Sequence, residues 1–225
     1  MITTLNNLVA IKPFPSDEIR LKDGNKLYLA NVFEEYLNAR TAGIVVGLPA
    51  KLKFNDDMYA VSMPWKTEIE LQEGDRVVFN YLADKNAKGL GYFFEDGVMC
   101  VPYEQIYIAF RGDEMICLNG FIIVEPDENE INTILEVPEI ARSKSKIKGT
   151  VRYAGKPNQG YRDELMEKGR TGPDYPINVG DRVVFHWTDA IPLQPNAELR
   201  GELTRKLMYR MQCKDVMGIE IAYKI

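Results

Sequence analysis

Gly74-Asp75-Arg76-Val77-Val78-Phe79 returns unchanged as Gly180-Asp181-Arg182-Val183-Val184-Phe185. In each copy a glycine offers the left-handed backbone conformation of a tight turn, and the β-branched pair that follows fits a pleated, buried strand. Two identical runs of this length are improbable by chance in a chain of 225 residues. The step from Gly74 to Gly180 is 106 residues, the size of one small domain, so the hexapeptide predicts a duplicated fold.

The flanking segments repeat in the same order. Leu8-Val9-Ala10-Ile11, ended by Lys12-Pro13, is matched by Phe121-Ile122-Ile123-Val124, ended by Glu125-Pro126. Proline has no N–H to give a sheet, so each run reads as a strand that stops there. Long polar connections follow, Ser16 to Arg40 and Asp127 to Lys146, and each returns to a glycine-closed strand, Thr41 to Gly47 and Gly149 to Gly155. Lys51 to Val61 reads as a hairpin about Asn55-Asp56-Asp57, with the charged stretch Lys156 to Pro176 in its place in the second half. Val98 to Val101 and Ile106 to Phe110 close the first half, and Leu207 to Met211 and Val216 to Ile221 close the second. Short strands at regular intervals, without a sustained 3.6-residue amphipathic period, predict an all-β protein of two small barrels, residues 1–113 and 114–225.

Composition narrows the function classes. At 25.7 kDa and 45% hydrophobic residues the chain can bury two cores. No apolar run approaches the roughly 20 residues of a membrane span, and Met1 to Asn7 lacks the basic and apolar regions of a signal peptide, so a cytoplasmic protein is expected. The net charge of −5 and the scatter of Lys and Arg argue against nucleic acid as a partner. Cys100, Cys117 and Cys213 are odd in number and far apart, which predicts buried free thiols rather than a disulfide framework or a metal site.

Taken together, these segments resemble a tandem, double-domain GroES-like co-chaperonin. That family's unit has an apolar first strand, a long mobile loop, a strand closed by glycine, a roof hairpin, a Val-Gly-Asp strand and a closing strand pair. In this chain Leu8 to Lys12, Ser16 to Arg40, Ala42 to Gly47, Lys51 to Val61, Glu73 to Tyr81 and Val98 to Ala109 hold those places, and the second half follows suit. The resemblance implies two GroES-like small β-barrels with long loops, assembled as a homo-oligomeric ring that caps a GroEL-type chaperonin. It implies no enzymatic activity and no cofactor on this chain, ATP being bound by the chaperonin.

The family's mobile loop carries a glycine-preceded aliphatic tripeptide that docks on the chaperonin. Gly24-Asn25-Lys26-Leu27-Tyr28-Leu29 is similar to it, which makes Leu27, Tyr28 and Leu29 the candidate partner-binding residues. The alternative is that the triplet packs locally on its own barrel. In the second loop Ile134 and Leu135 are the counterparts, without a preceding glycine and with Glu136 after them. A second reading keeps the barrel pair as a structural or assembly protein, for example of a phage particle, without chaperonin contact.

Other candidates read as structural. His186 is the only histidine and is expected in the strand ending at Trp187, which leaves little room for histidine-based catalysis. Asp56-Asp57, Glu34-Glu35 and Asp127-Glu128 read as solvated loop charge. Lys88-Gly89-Leu90-Gly91 has neither the Walker ending nor a GxGxxG register, and no catalytic or metal residue is assigned. Asp75 and Asp181 are expected to accept hydrogen bonds from turn N–H groups at the strand starts.

Overall fold

A computed structural model of the chain describes residues 2–14, 39–54, 67–84, 96–128, 144–157, 176–193 and 202–220. These residues are mostly β-sheet with almost no helix, in two sheets that are antiparallel apart from one short parallel pair. The chain divides into two compact units, Met1–Pro64 with Glu68–Ile116, and Trp65–Thr67 with Cys117–Ile225. No helix among the described residues is long and apolar enough to cross a membrane.

The first unit contains β1 (Ile2–Thr4), β2 (Leu8–Pro13), β3 (Ala42–Pro49), β4 (Arg76–Phe79), β5 (Met99–Pro102), β6 (Ile106–Arg111) and β7 (Glu114–Cys117). They lie in the order β5-β2-β3-β4-β6-β7, with β1 parallel to β3. β1 is turned into β2 by Asn6 and Asn7, both in the left-handed region at φ 55° and 58°, and the Leu8 N–H donates to the Leu5 carbonyl over 3.1 Å. Asparagine tolerates that region better than other side chains, which is why two can make a mirror-image turn without glycine. The sequence places the end of this unit at Arg111-Gly112-Asp113. The sheet runs on instead, because Gly112 at φ 62° turns the chain back as a hairpin and β7 pairs along β6.

The second unit contains β8 (Phe121–Glu128), β9 (Lys144–Ala154), β10 (Arg182–Phe185), β11 (Ile191–Pro192), β12 (Tyr209–Gln212) and β13 (Val216–Glu220), in the order β11-β12-β8-β9-β10-β13. Its core gathers Ile122, Val124, Val151, Val183, Phe185, Tyr209 and Met211, with the Phe185 and Tyr209 rings edge to face at 6.2 Å.

The ladders of the two sheets correspond pair for pair. In β2–β3, Ile11, Lys12 and Pro13 face Val45, Ile44 and Gly43. In β8–β9, Val124, Glu125 and Pro126 face Val151, Thr150 and Gly149. The register slips after the same pair in both, Ala10 opposite Gly47 and Ile123 opposite Tyr153. The hexapeptide strands behave alike: Val77 and Val183 face Gly43 and Gly149, and each slips against its other neighbour before the phenylalanine. A Cβ on either glycine would meet backbone, the Lys12 oxygen at 2.6 Å for Gly43 and the Glu125 oxygen at 2.5 Å for Gly149. Close backbone approach, rather than turn geometry, fixes glycine there.

Candidate partner-binding site

Leu27, Tyr28, Leu29, Ile134 and Leu135 lie outside the described residues. What the structure places is the frame from which their two segments leave. Pro13 faces Gly43, and the Phe14 N–H donates to the Ala42 carbonyl over 2.9 Å, so residues 15–38 depart from and return to neighbouring ladder positions. In the second unit Glu128 faces Lys144, and residues 129–143 are closed at their base in the same way.

Two polar contacts hold the first frame. The Arg40 guanidinium, just after residues 15–38, pairs with the buried Asp84 carboxylate, Nε to Oδ1 and Nη2 to Oδ1 both at 2.7 Å. Asp84 ends a helical turn at residues 81–84; the position 106 residues on is Ala190. The Asn7 side chain donates from Nδ2 to the Lys53 carbonyl and accepts at Oδ1 from the Lys53 N–H, each over 2.6 Å. It thereby imitates one rung of a sheet at the start of the Lys51 segment. Gly120 stands in its place in the second unit, at φ 66° after Asn119 at φ 55°.

The aspartates of the hexapeptide cap turns. Asp75 Oδ2 accepts from the Gln72 N–H at 2.8 Å and Asp181 Oδ2 from the Asn178 N–H at 2.7 Å. Each turn is tied to the neighbouring strand by the same two backbone bonds, Val45 N–H to the Asp75 carbonyl and Gly74 N–H to the Val45 carbonyl, then Val151 to Asp181 and Gly180 to Val151. The buried Asp75 also receives a fork from Arg111, Nε to Oδ1 at 3.0 Å and Nη2 to Oδ2 at 2.8 Å. That hydrogen-bonded carboxylate raises the Arg111 pKa above its ordinary value.

The second sheet is laced by ion pairs instead. Arg182 reaches Asp127 at 2.7 Å and Glu220 at 3.3 Å, Lys148 reaches Glu220 at 2.5 Å, and Glu125 takes both Arg152 and Lys206. Burial pushes the Glu125 carboxyl up, but the hydrogen bonds and charges of Lys206 and Arg152 prevail and hold it below the ordinary range. The hydrogen bond from Lys148, helped by Arg182, holds Glu220 below it as well. Burial alone raises Glu104.

Cys100, Cys117 and Cys213 are buried and outside any disulfide, and burial raises Cys100 and pushes Cys213 up to about 12, away from the thiolate form that reacts. Among the described residues no three His, Cys, Asp or Glu converge as a metal site. His186 does not lie in a strand: β10 ends at Phe185, and His186 is exposed in a turn closed by the Asp189 N–H on its carbonyl at 3.0 Å. Its Nδ1 lies 2.7 Å from the Thr188 Oγ1. Sequence reasoning missed Arg40, Asp84, Asn7 and Arg111, whose partners lie tens of residues away. The one signal it had was the Asn6-Asn7 pair before a strand, a turn signature.

No protein-family model matches the chain, and no curated protein matches it.

Proposed function

We propose that the chain is a tandem pair of GroES-like barrels that acts as a non-enzymatic co-chaperonin in the cytoplasm. Its units assemble as a homo-oligomeric ring, cap a GroEL-type chaperonin and assist ATP-dependent folding, with ATP bound and hydrolysed by the partner. The observation that carries the reading is the shared frame: in both sheets a proline faces a glycine three pairs beyond the same slip in register, and a long connection leaves at that end of the ladder, after Pro13 in the first and two residues past Pro126 in the second. A sheet that holds the ends of a long connection whose sequence contains an apolar triplet suits capture of a partner's exposed groove. Leu27, Tyr28 and Leu29 are the docking residues of the first connection, with Ile134 and Leu135 in the second.

The experiment is co-sedimentation with a GroEL-type chaperonin in the presence of nucleotide. A complex that forms with the wild type and is lost in Leu27→Asp/Leu29→Asp supports the reading; no complex with the cognate chaperonin ends it.

A second reading, an assembly protein of a particle, draws on the exposed Val179, Trp187 and Met217 of the second unit, side chains that a further protein surface could cover. Fixed stoichiometry in a particle, with no chaperonin bound, would select it.

A further inference from the structure

Each hexapeptide strand ends in the same turn, and the two turns then part at one side chain. In the first unit the Ala83 N–H donates to the Asn80 carbonyl over 2.9 Å and the Leu82 N–H to Asn80 Oδ1 over 3.1 Å. In the second the Asp189 N–H donates to the His186 carbonyl over 3.0 Å, and the Thr188 N–H reaches His186 Nδ1 over a longer 3.4 Å. Asn80 and His186 are therefore matched residues that cap matched turns. The first turn is tied down further by the Asn80 N–H, which donates to the Gln105 carbonyl over 2.9 Å. It continues as the helical turn 81–84, with Ala83 and Asp84 each 1% exposed. At the position matching Asp84 the second unit has Ala190, which offers no carboxylate.

Asp84 meets the chain where it comes back from residues 15–38. Arg40 donates to Asp84 Oδ1 from Nε and from Nη2, both over 2.7 Å, and its side chain is three-quarters covered. The two residues after Arg40 are already held by neighbouring strands: the Thr41 carbonyl accepts from the Phe79 N–H over 2.8 Å and the Ala42 carbonyl from the Phe14 N–H over 2.9 Å. A buried carboxylate holds a guanidinium strongly and is little screened by salt. The pair therefore fixes the chain one residue before those backbone bonds begin. A stub that is fixed before a partner arrives does not have to be ordered when the partner binds.

We propose that Asp84 and Arg40 are positioning residues for docking by the first unit: the pair fixes the return stub of the connection that leaves after Pro13 and so raises that connection's affinity for its partner. The capped turn delivers the carboxylate, and Arg40 receives it across 44 residues of sequence. The partner side of the proposal rests on the co-chaperonin reading, whereas the anchoring of the stub does not.

The test uses Asp84→Ala, which gives the first turn the residue that the second turn carries, together with Asp84→Ala/Arg40→Gln. Amide exchange at Phe14 and Phe79, the donors to Ala42 and Thr41, should quicken about 10-fold in Asp84→Ala while the β2–β5 ladder keeps its protection. Affinity of the folded protein for a GroEL-type chaperonin with nucleotide should fall about 10-fold. The double variant should lose no more than Asp84→Ala does, because the two side chains act as one unit. A purely structural pair would lower the melting temperature, quicken exchange evenly over the first sheet and leave the affinity of the folded protein unchanged. That result, unchanged exchange at Phe14 and Phe79, or a further loss in the double variant each overturns the proposal. A wild type that binds no chaperonin ends the co-chaperonin reading and the affinity claim with it, and the exchange rates then decide the anchor alone.

Discussion

Asp75 and Asp181 occupy one position in a repeated sequence and make the same turn, yet they carry different loads. Both accept a main-chain N–H from three residues upstream, and Asp75 alone also receives the Arg111 fork. Asp75→Ala should therefore cost about 2–3 kcal/mol, since it removes charge-assisted bonds and leaves the partly screened Arg111 guanidinium with the Glu70 carbonyl in place of a carboxylate. Asp181→Ala, which loses one exposed turn bond, should cost about 1 kcal/mol. Denaturant midpoints of the two variants check the ordering, and equal losses would refute it. Gly43→Ala and Gly149→Ala each push a methyl into carbonyl oxygen on the adjacent strand, and each should lose about 1–3 kcal/mol by the same measurement.

The strands show how far sequence reaches and where it stops. Val77, Val78 and Phe79 are all buried, and so are Val183 and Phe185, because the apolar run that enters the sheet is local to the hexapeptide. What faces Arg76 and Arg182 is not local. The identical arginines meet Phe110, over whose ring Arg76 lies at 5.7 Å, and Glu220, within an ion-pair ladder. Nothing in the hexapeptide distinguishes the two, since the partner arrives from a strand more than 30 residues later. His186 was legible as a chemical group but not as a turn residue, because the apolar run into Trp187 looks continuous with β10. The glycines of the frame could be read from sequence, but Pro126 reads as the end of a strand that runs on to Glu128, and the Arg40–Asp84 and Asn7–Lys53 contacts depend on long-range closure.

The ladder of the second sheet also sets a pH dependence. Glu125 and Glu220 have folded pKa values below the ordinary 4.5, so their stabilisation is complete above about pH 5 and is lost as the pH falls through the lowered values. Glu104 in the first unit is raised, has the opposite sign, and favours folding on the acid side of its raised pKa. Urea midpoints measured from pH 7 to pH 3 should fall less steeply in Glu220→Gln than in the wild type, and parallel curves would remove this account.

On the scale of the molecule, two sheets of one register carry connections of different sequence, and the docking prediction separates them. Leu27→Asp/Leu29→Asp should abolish chaperonin co-sedimentation without moving the melting temperature, and Ile134→Asp/Leu135→Asp should weaken it less, because that segment lacks the preceding glycine. The proline–glycine pair shared by the two ladders carries one more consequence. Since Pro13 opposite Gly43 and Pro126 opposite Gly149 are matching backbone positions, the stretches beyond them can be exchanged at those points, the second including the further pair Glu128 opposite Lys144. A chimaera with residues 14–42 grafted in place of 127–148 should keep the second sheet's core and carry two docking arms of one sequence.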